Sequence, residues 1–237
     1  MQVLSRLRAT TSRVLFLSVM ALGAAFITAS SLVYFEQDEL APFVIERLPL
    51  RFEALWLVSL RVHVVAAMVA FPLCILLMTR TLQRRAVLHR WLGRIAGTVI
   101  LFALVPSGAV LSLEAKGGPL VSAGFLLSGA LVAWFVVKGV RAARRKEMAA
   151  HRRAMMHVFA QMSVAVTSRA LLFAFDAAGM SPDVAYVVAL WCPVLASAAV
   201  AESLAGSLKR MVQVHGLKMA TFLRARVVAR PIARVGR

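Results

Sequence analysis

The sequence predicts an all-α, polytopic membrane protein with six transmembrane helices, four of them forming a core of two hairpins repeated in parallel. Three observations lead there. Of 237 residues, 61% are hydrophobic and the mean hydropathy is +0.81, which is more apolar surface than a water-soluble chain of this length can hide. The apolar residues gather into six runs, several of them near or above the roughly 20 residues that cross a hydrocarbon core. Lysine and arginine crowd every second connection between the runs.

Each run is read as a helix because a segment crossing lipid must satisfy its own backbone hydrogen bonds. The first span, 14–34, follows Arg6, Arg8 and Arg13. Small residues at Ala29–Ser31 would suit signal cleavage, but the apolar stretch exceeds the roughly 7–15 residues of a signal core, so it reads as a retained anchor. An acidic periplasmic loop follows, with Glu36, Asp38, Glu39, Glu46 and Glu53 beside Pro42 and Pro49. Spans two and three, 55–78 and 95–113, are joined by Arg80, Arg84, Arg85, Arg90 and Arg94. Spans four and five, 119–137 and 155–175, are joined by Lys138, Arg141, Arg144, Arg145, Lys146, Arg152 and Arg153. The sixth span, 184–201, runs into a basic tail, 203–237, with eight more cations. The whole chain, 1–237, is one transmembrane domain.

Twenty-three cations therefore fall on one side, against Arg47, Arg51 and Lys116 on the other. That bias puts both termini in the cytoplasm of a bacterial inner membrane. The net charge of +18 comes without a helix-turn-helix, zinc or aromatic-strand pattern, so nucleic acid is not the partner. The lipid bilayer is, with anionic headgroups at the cytoplasmic face and other membrane proteins as further partners. Cys74 and Cys192 sit inside apolar runs without metal-ligand spacing and read as small buried hydrophobes.

A repeat organises the middle of the chain. Trp56 and Gly118 are 62 residues apart, as are His89-Arg90 and His151-Arg152. Two helical hairpins in one orientation follow from this, with the first and sixth helices flanking them. Gly93, Gly97, Gly124 and Gly129 predict close helix approach. Pro72, Pro106 and Pro193 predict kinks that free carbonyls.

Candidate chemistry starts from polar groups inside the spans, each costly unless paired. His63 and Arg169 lie about 6 Å outward of their span centres by helical rise. Ser107 and Glu114 fall near that level. Such a cluster suits an anionic or quinone-like group, haem propionates, or a structural pair closing the bundle. Arg61 stands about 200° around the helix from His63 and cannot share its pocket directly. At the basic end, His89 and His151 hold equivalent repeat positions, and His157 lies one turn deeper. Two symmetric imidazoles suit axial ligation of haem or a metal, or binding of lipid headgroups. Met148, Met155, Met156 and Met162 read as packing. No Walker, HExxH, GxSxG or CxxCH pattern is present, so the hydrolases and c-type haem chemistry those motifs mark have no support.

His63, then His89-Arg90-x-x-Gly93-Arg94, then His151-Arg152-Arg153-x-Met155, then Arg169, in that order, resemble a bacterial "predicted membrane protein" domain-of-unknown-function family. Its signatures are a helix-borne histidine, HRxxGR and HRxWM. The likeness covers 56–178, including the Gly117-Gly118 turn, although Ala154 stands where that family has tryptophan. The resemblance implies no assigned activity. Its histidine-bearing four-helix core is similar in style to two-haem membrane cytochromes of the ferric-reductase and cytochrome b561 kind.

Two functional classes fit these residues. One is a membrane redox or electron-transfer component binding b-type haem or quinone through His63, His89, His151, His157 and Arg169. The other is a carrier, accessory or structural subunit of a membrane complex, with a polar intramembrane pocket and no cofactor. No reaction is legible. A reporter enzyme fused after Arg237 is expected to be active only on the cytoplasmic side; activity outside the membrane would overturn the orientation.

Overall fold

The computed structural model describes the backbone of residues 2–35, 42–45 and 48–228, and the side chains of 11–35, 44–45, 48–204 and Gly206. The acids Glu36, Asp38, Glu39 and Glu46 lie outside the described residues, as do the side chains of Arg6, Arg8 and the basic cations of the tail. Within the described residues the regular structure is all helical. Ten α-helices run in chain order: α1 (Gln2–Ser30), α2 (Pro42–Ile45), α3 (Glu53–Leu77), α4 (Arg80–Arg84), α5 (Ala86–Val99), α6 (Val105–Ser112), α7 (Gly118–Arg144), α8 (Met148–Met162), α9 (Val164–Ala177) and α10 (Pro182–Val228). A 3-10 turn, Leu32–Phe35, follows α1, and a π-helical turn, Ile100–Leu104, joins α5 to α6.

Six of these stretches are long and apolar enough to cross a bilayer: Thr11–Phe35, Glu53–Leu77, Ala86–Ser112, Gly118–Arg144, Met148–Ala177 and Pro182–Leu204. Most extend past the apolar runs in the sequence, and α10 continues as helix well into the basic tail. Hydropathy marks only the part inside hydrocarbon. The backbone has no reason to stop bonding to itself where the lipid headgroups begin. The outward surface is strongly apolar, with Phe102 78% and Leu22 72% exposed. Only lipid or another apolar surface covers such a face without cost.

The expected core is present. Helix α3 packs along α5, the π turn and α6 as one hairpin, α7 packs along α8 as the other, and α6 meets α7. One apolar cluster joins Ala70, Phe71 and Cys74 of α3, Ile100 and Leu104 of the π turn, Val132 and Val136 of α7, and Val158, Phe159 and Met162 of α8. Helix α1 flanks it through α3 and α9, with Phe16 edge-on to Phe159 and Phe26 edge-on to Phe173. Helix α10 flanks the second hairpin, packing on α7, α8 and α9.

The 62-residue repeat extends to the helix breaks. Helices α5 and α8 begin at Ala86 and Met148, 62 residues apart. The π turn at Ile100–Leu104 corresponds to the break at Ser163 between α8 and α9. The third and fifth spans are thus interrupted at corresponding positions. The turn linking the hairpins needs glycine twice, since Gly117 and Gly118 have φ of 90° and 75°, a region that side chains disfavour.

The glycines do not all serve the packing expected of them. Gly124 brings α7 against Leu190 and Gly97 faces Val136, but Gly93 and Gly129 have open space. Tight approaches also occur at Gly23 against Val166 and Gly139 against Met155. Met155 and the buried Met162 are packing residues as expected. Cys74 is buried, whereas Cys192 lies on the surface. Cys192 belongs to the lipid-facing side of α10, which is as apolar as the core and indistinguishable from it by composition.

Apolar burial gives little drive between helices already in lipid, so polar contacts weigh more. Gln161, buried in α8, is the main one. Its amide donates to the Val194 carbonyl at 3.1 Å and the Ser197 hydroxyl at 3.0 Å, and its oxygen accepts from Ser128 at 3.1 Å. Helices α7, α8 and α10 meet on this one side chain. Gln161→Ala is expected to destabilise the bundle by about 1–2 kcal/mol, read as a lowered midpoint of unfolding in detergent.

Candidate functional site

Two polar clusters stand at opposite ends of the core. The first begins with His63 on α3. Its Nδ1 lies 3.1 Å from the Leu104 carbonyl and 3.3 Å from the Ser107 hydroxyl. A carbonyl only accepts, so Nδ1 carries the proton and Nε2 is left with its lone pair. Ser107 in turn donates to the Ala103 carbonyl at 2.6 Å. The local sequence explains this arrangement: the π turn and Pro106, which lacks an N–H, disturb the helical ladder, and His63 and Ser107 bond to carbonyls of the disturbed turn. Gly108 makes room, since a Cβ there would lie 3.0 Å from Cε1 of His63.

Arg169 on α9 is the second member, and its charge is felt at His63. The two residues predicted at matching depth therefore lie within electrostatic range of each other. Arg169 Nη1 donates to the Ala165 carbonyl at 2.9 Å. Tyr34, after α1, and Tyr186, on α10, lie within electrostatic range of the same guanidinium and of each other. Lys116 stands 5.5 Å over the Tyr186 ring. Arg61 turns elsewhere, as its angle around α3 requires, and donates from Nε to the Tyr34 carbonyl at 3.4 Å. Glu114 accepts from the Arg51 backbone at 3.3 Å.

The other cluster holds His89 and His151, one in the first turn of α5 and one in the first turn of α8. They lie close enough for their charges to interact. His151 Nδ1–H donates to the Gly139 carbonyl at 2.9 Å, which leaves Nε2 free to act as a ligand. The equivalent carbonyl of the first hairpin, Leu77, is capped at 3.2 Å by Gln83 instead. His89 is thereby released from that duty, and its buried Nδ1 has no hydrogen-bond partner among the described residues.

His157 belongs to neither cluster. Its Nε2 lies 3.1 Å from Glu202, which also pairs with Arg153, and its ring stacks on Phe135 at 4.1 Å and 6°. This group ties α8 to α10. Sequence reading passed over Glu202, Gln161, Tyr34 and Tyr186. The tyrosines carried a usable signal, being the only two in the chain and both at the ends of spans. Nothing in the sequence marked Glu202 as the partner of His157, because 45 residues, an outward span and a returning one, separate them.

No group of three or more His, Cys, Asp or Glu side chains suited to a metal ion occurs among the described residues. A family model described as "Predicted membrane protein (DUF2306)" matches residues 60–205, well over half of the chain. Comparison with curated proteins and with solved structures finds no match.

The close seat of His63 on Gly108 is testable. Gly108→Ala is expected to push the imidazole off its carbonyl and destabilise the chain by about 1–3 kcal/mol, the usual range for overpacking. Gly129→Ala, in open space, is expected to be neutral. Parallel unfolding curves of the two variants in detergent check both outcomes.

Proposed function

The chain belongs to the predicted membrane protein family DUF2306, and within that family of integral membrane proteins we propose that it is a redox component holding a b-type haem between His89 and His151. The observation that supports this reading is the pairing of those two imidazoles. They come from equivalent positions of two repeated hairpins, and the charge of His151 is felt at His89. His151 has its Nδ1–H fixed on a backbone carbonyl, the usual arrangement behind a metal-ligating histidine. His89 keeps a buried ring nitrogen that no group among the described residues satisfies. The donor set fits haem better than a bare metal ion, because a porphyrin supplies four nitrogens and asks the protein for two.

When bound, the haem would supply one-electron transfer. The chain's own part is to hold two rings at one depth and surround them with Arg90, Arg94 and Arg152, cations suited to propionates. His157, engaged by Glu202, contributes packing. His63 and Arg169 stand too far outward to share this group and belong to a separate site for a quinone-like or anionic molecule. A second reading, a carrier or accessory subunit without cofactor, draws on that same Arg169, which has no carboxylate partner among the described residues.

The cytoplasmic membrane of a bacterium, with both termini and the haem pair on the cytoplasmic side, follows from the charge bias. Anionic headgroups at that face and a single transmembrane domain, 1–237, belong to the same reading. The deciding experiment is the absorption spectrum of detergent-purified protein expressed with haem supplementation. A Soret band at about one haem per chain is expected, lost in His89→Ala and in His151→Ala and kept in His63→Ala. Wild-type protein without that band would overturn the proposal.

A further inference from the structure

We infer that the end of the bundle opposite His89 and His151 binds the oxyanionic headgroup, phosphate or carboxylate, of a membrane-borne amphiphile, with Arg169, Tyr34 and Tyr186 as its recognition groups. This site stands whether or not a haem is bound at the other end. Along the α8–α9 axis Arg169 lies roughly 27 Å beyond His151 by helical rise, so the two clusters do not overlap.

The first reason is charge balance. Arg169 lies within the span Met148–Ala177, where an ionised side chain carries a large cost unless it is paired. Among the described residues its one hydrogen bond is to the Ala165 carbonyl of its own helix. That carbonyl offers a dipole and leaves the charge uncompensated. No carboxylate pairs with Arg169 among the described residues. By contrast Arg153, at the basic end, has Glu202. A guanidinium has five donors in a planar fork, four of them open here, and a two-oxygen or three-oxygen anion matches that fork.

The second reason is convergence. The chain has two tyrosines, and both reach the field of Arg169 from different elements: Tyr34 from the turn after α1, Tyr186 from α10. A phenol hydroxyl donates readily to an oxyanion. Lys116, over the Tyr186 ring, adds positive potential at the same end. A neutral quinone would use such donors but leave the cation uncompensated, so an anion fits better.

The third reason is access. Arg169 is exposed on the side of the bundle, and one turn further along α9 the Phe173 ring is 63% exposed, edge-on to an equally open Phe26 of α1. A headgroup at Arg169 would leave its hydrocarbon tail against these rings, within the bilayer. A water-soluble anion would gain nothing from them. The ligand source is therefore a lipid-like molecule in the membrane.

Thermal unfolding of the detergent-purified full chain tests this. The probes are dihexanoyl phosphatidic acid, decanoate, dihexanoyl phosphatidylcholine and inorganic phosphate. A saturable rise in midpoint is expected with the first two and none with the zwitterionic lipid. Inorganic phosphate should need at least about tenfold higher concentration, since it lacks the apolar contact. Arg169→Gln should abolish the response, and Tyr186→Phe or Tyr34→Phe should weaken it by about tenfold, the worth of a hydrogen bond to a charged group. Arg144→Gln, an exposed cation at the other end, should leave the response unchanged. If Arg169→Gln does not fold, the Tyr34→Phe/Tyr186→Phe double variant, which keeps ring size, carries the test. An equal response to phosphatidylcholine, an equal response to free phosphate, or a response unchanged by the tyrosine variants would overturn the inference.

Discussion

The structure depends on one constraint: in hydrocarbon, every main-chain carbonyl released from a helix must find a donor within the protein. Many polar side chains of this bundle bond to main-chain carbonyls, at helix ends and breaks or along a neighbouring helix. His63 and Ser107 bond to carbonyls of the π turn, His151 to Gly139, Gln83 to Leu77, and Gln161 to Val194. Trp191 donates to the Leu120 carbonyl, Arg13 to Met78 at the end of α3, and Arg61 to Tyr34. Among the described residues, the buried imidazole nitrogens left without a partner are Nδ1 of His89 and Nδ1 of His157, whose other nitrogen is held by Glu202.

The exceptions are therefore informative. Where a ring nitrogen or a guanidinium is left over after the backbone is satisfied, its presence in the membrane needs another account. His89 keeps a buried nitrogen because Gln83 has taken the carbonyl that its counterpart His151 serves. Arg169 keeps most of its fork because it bonds only within its own helix. The two proposed sites sit on these residues, one at each end of the core. The repeat produced matched histidines; a single divergence between Gln83 and His151 made the pair chemically unequal.

Helix breaks position both ends. The π turn in the first hairpin and the break at Ser163 in the second occur at corresponding positions, and each interrupts the helix that runs from a histidine turn toward the end holding His63 and Arg169. The bend in the first hairpin brings the Leu104 carbonyl toward α3, where His63 meets it. The bend in the second precedes Arg169 by under two turns. Two different interruptions thus lie on the helices that carry Ser107, the partner of His63, and Arg169.

Much of this was legible in the chain itself. Six crossings follow from run length, and the repeat, the flanking first and sixth helices, and the shared depth of His63 and Arg169 follow from spacing, because a helix converts residue number directly into height. Height is one coordinate only. Which residues at a given height face one another depends on how the helices are rotated and bent, and that is set by packing. So the link from His157 to Glu202, the convergence of Tyr34 and Tyr186 on Arg169, the open space at Gly93 and Gly129, and the unequal hydrogen bonding of His89 and His151 were decided only in three dimensions. Sequence fixes depth through helical rise; the neighbours at that depth are chosen by side-chain contacts between segments distant in the chain.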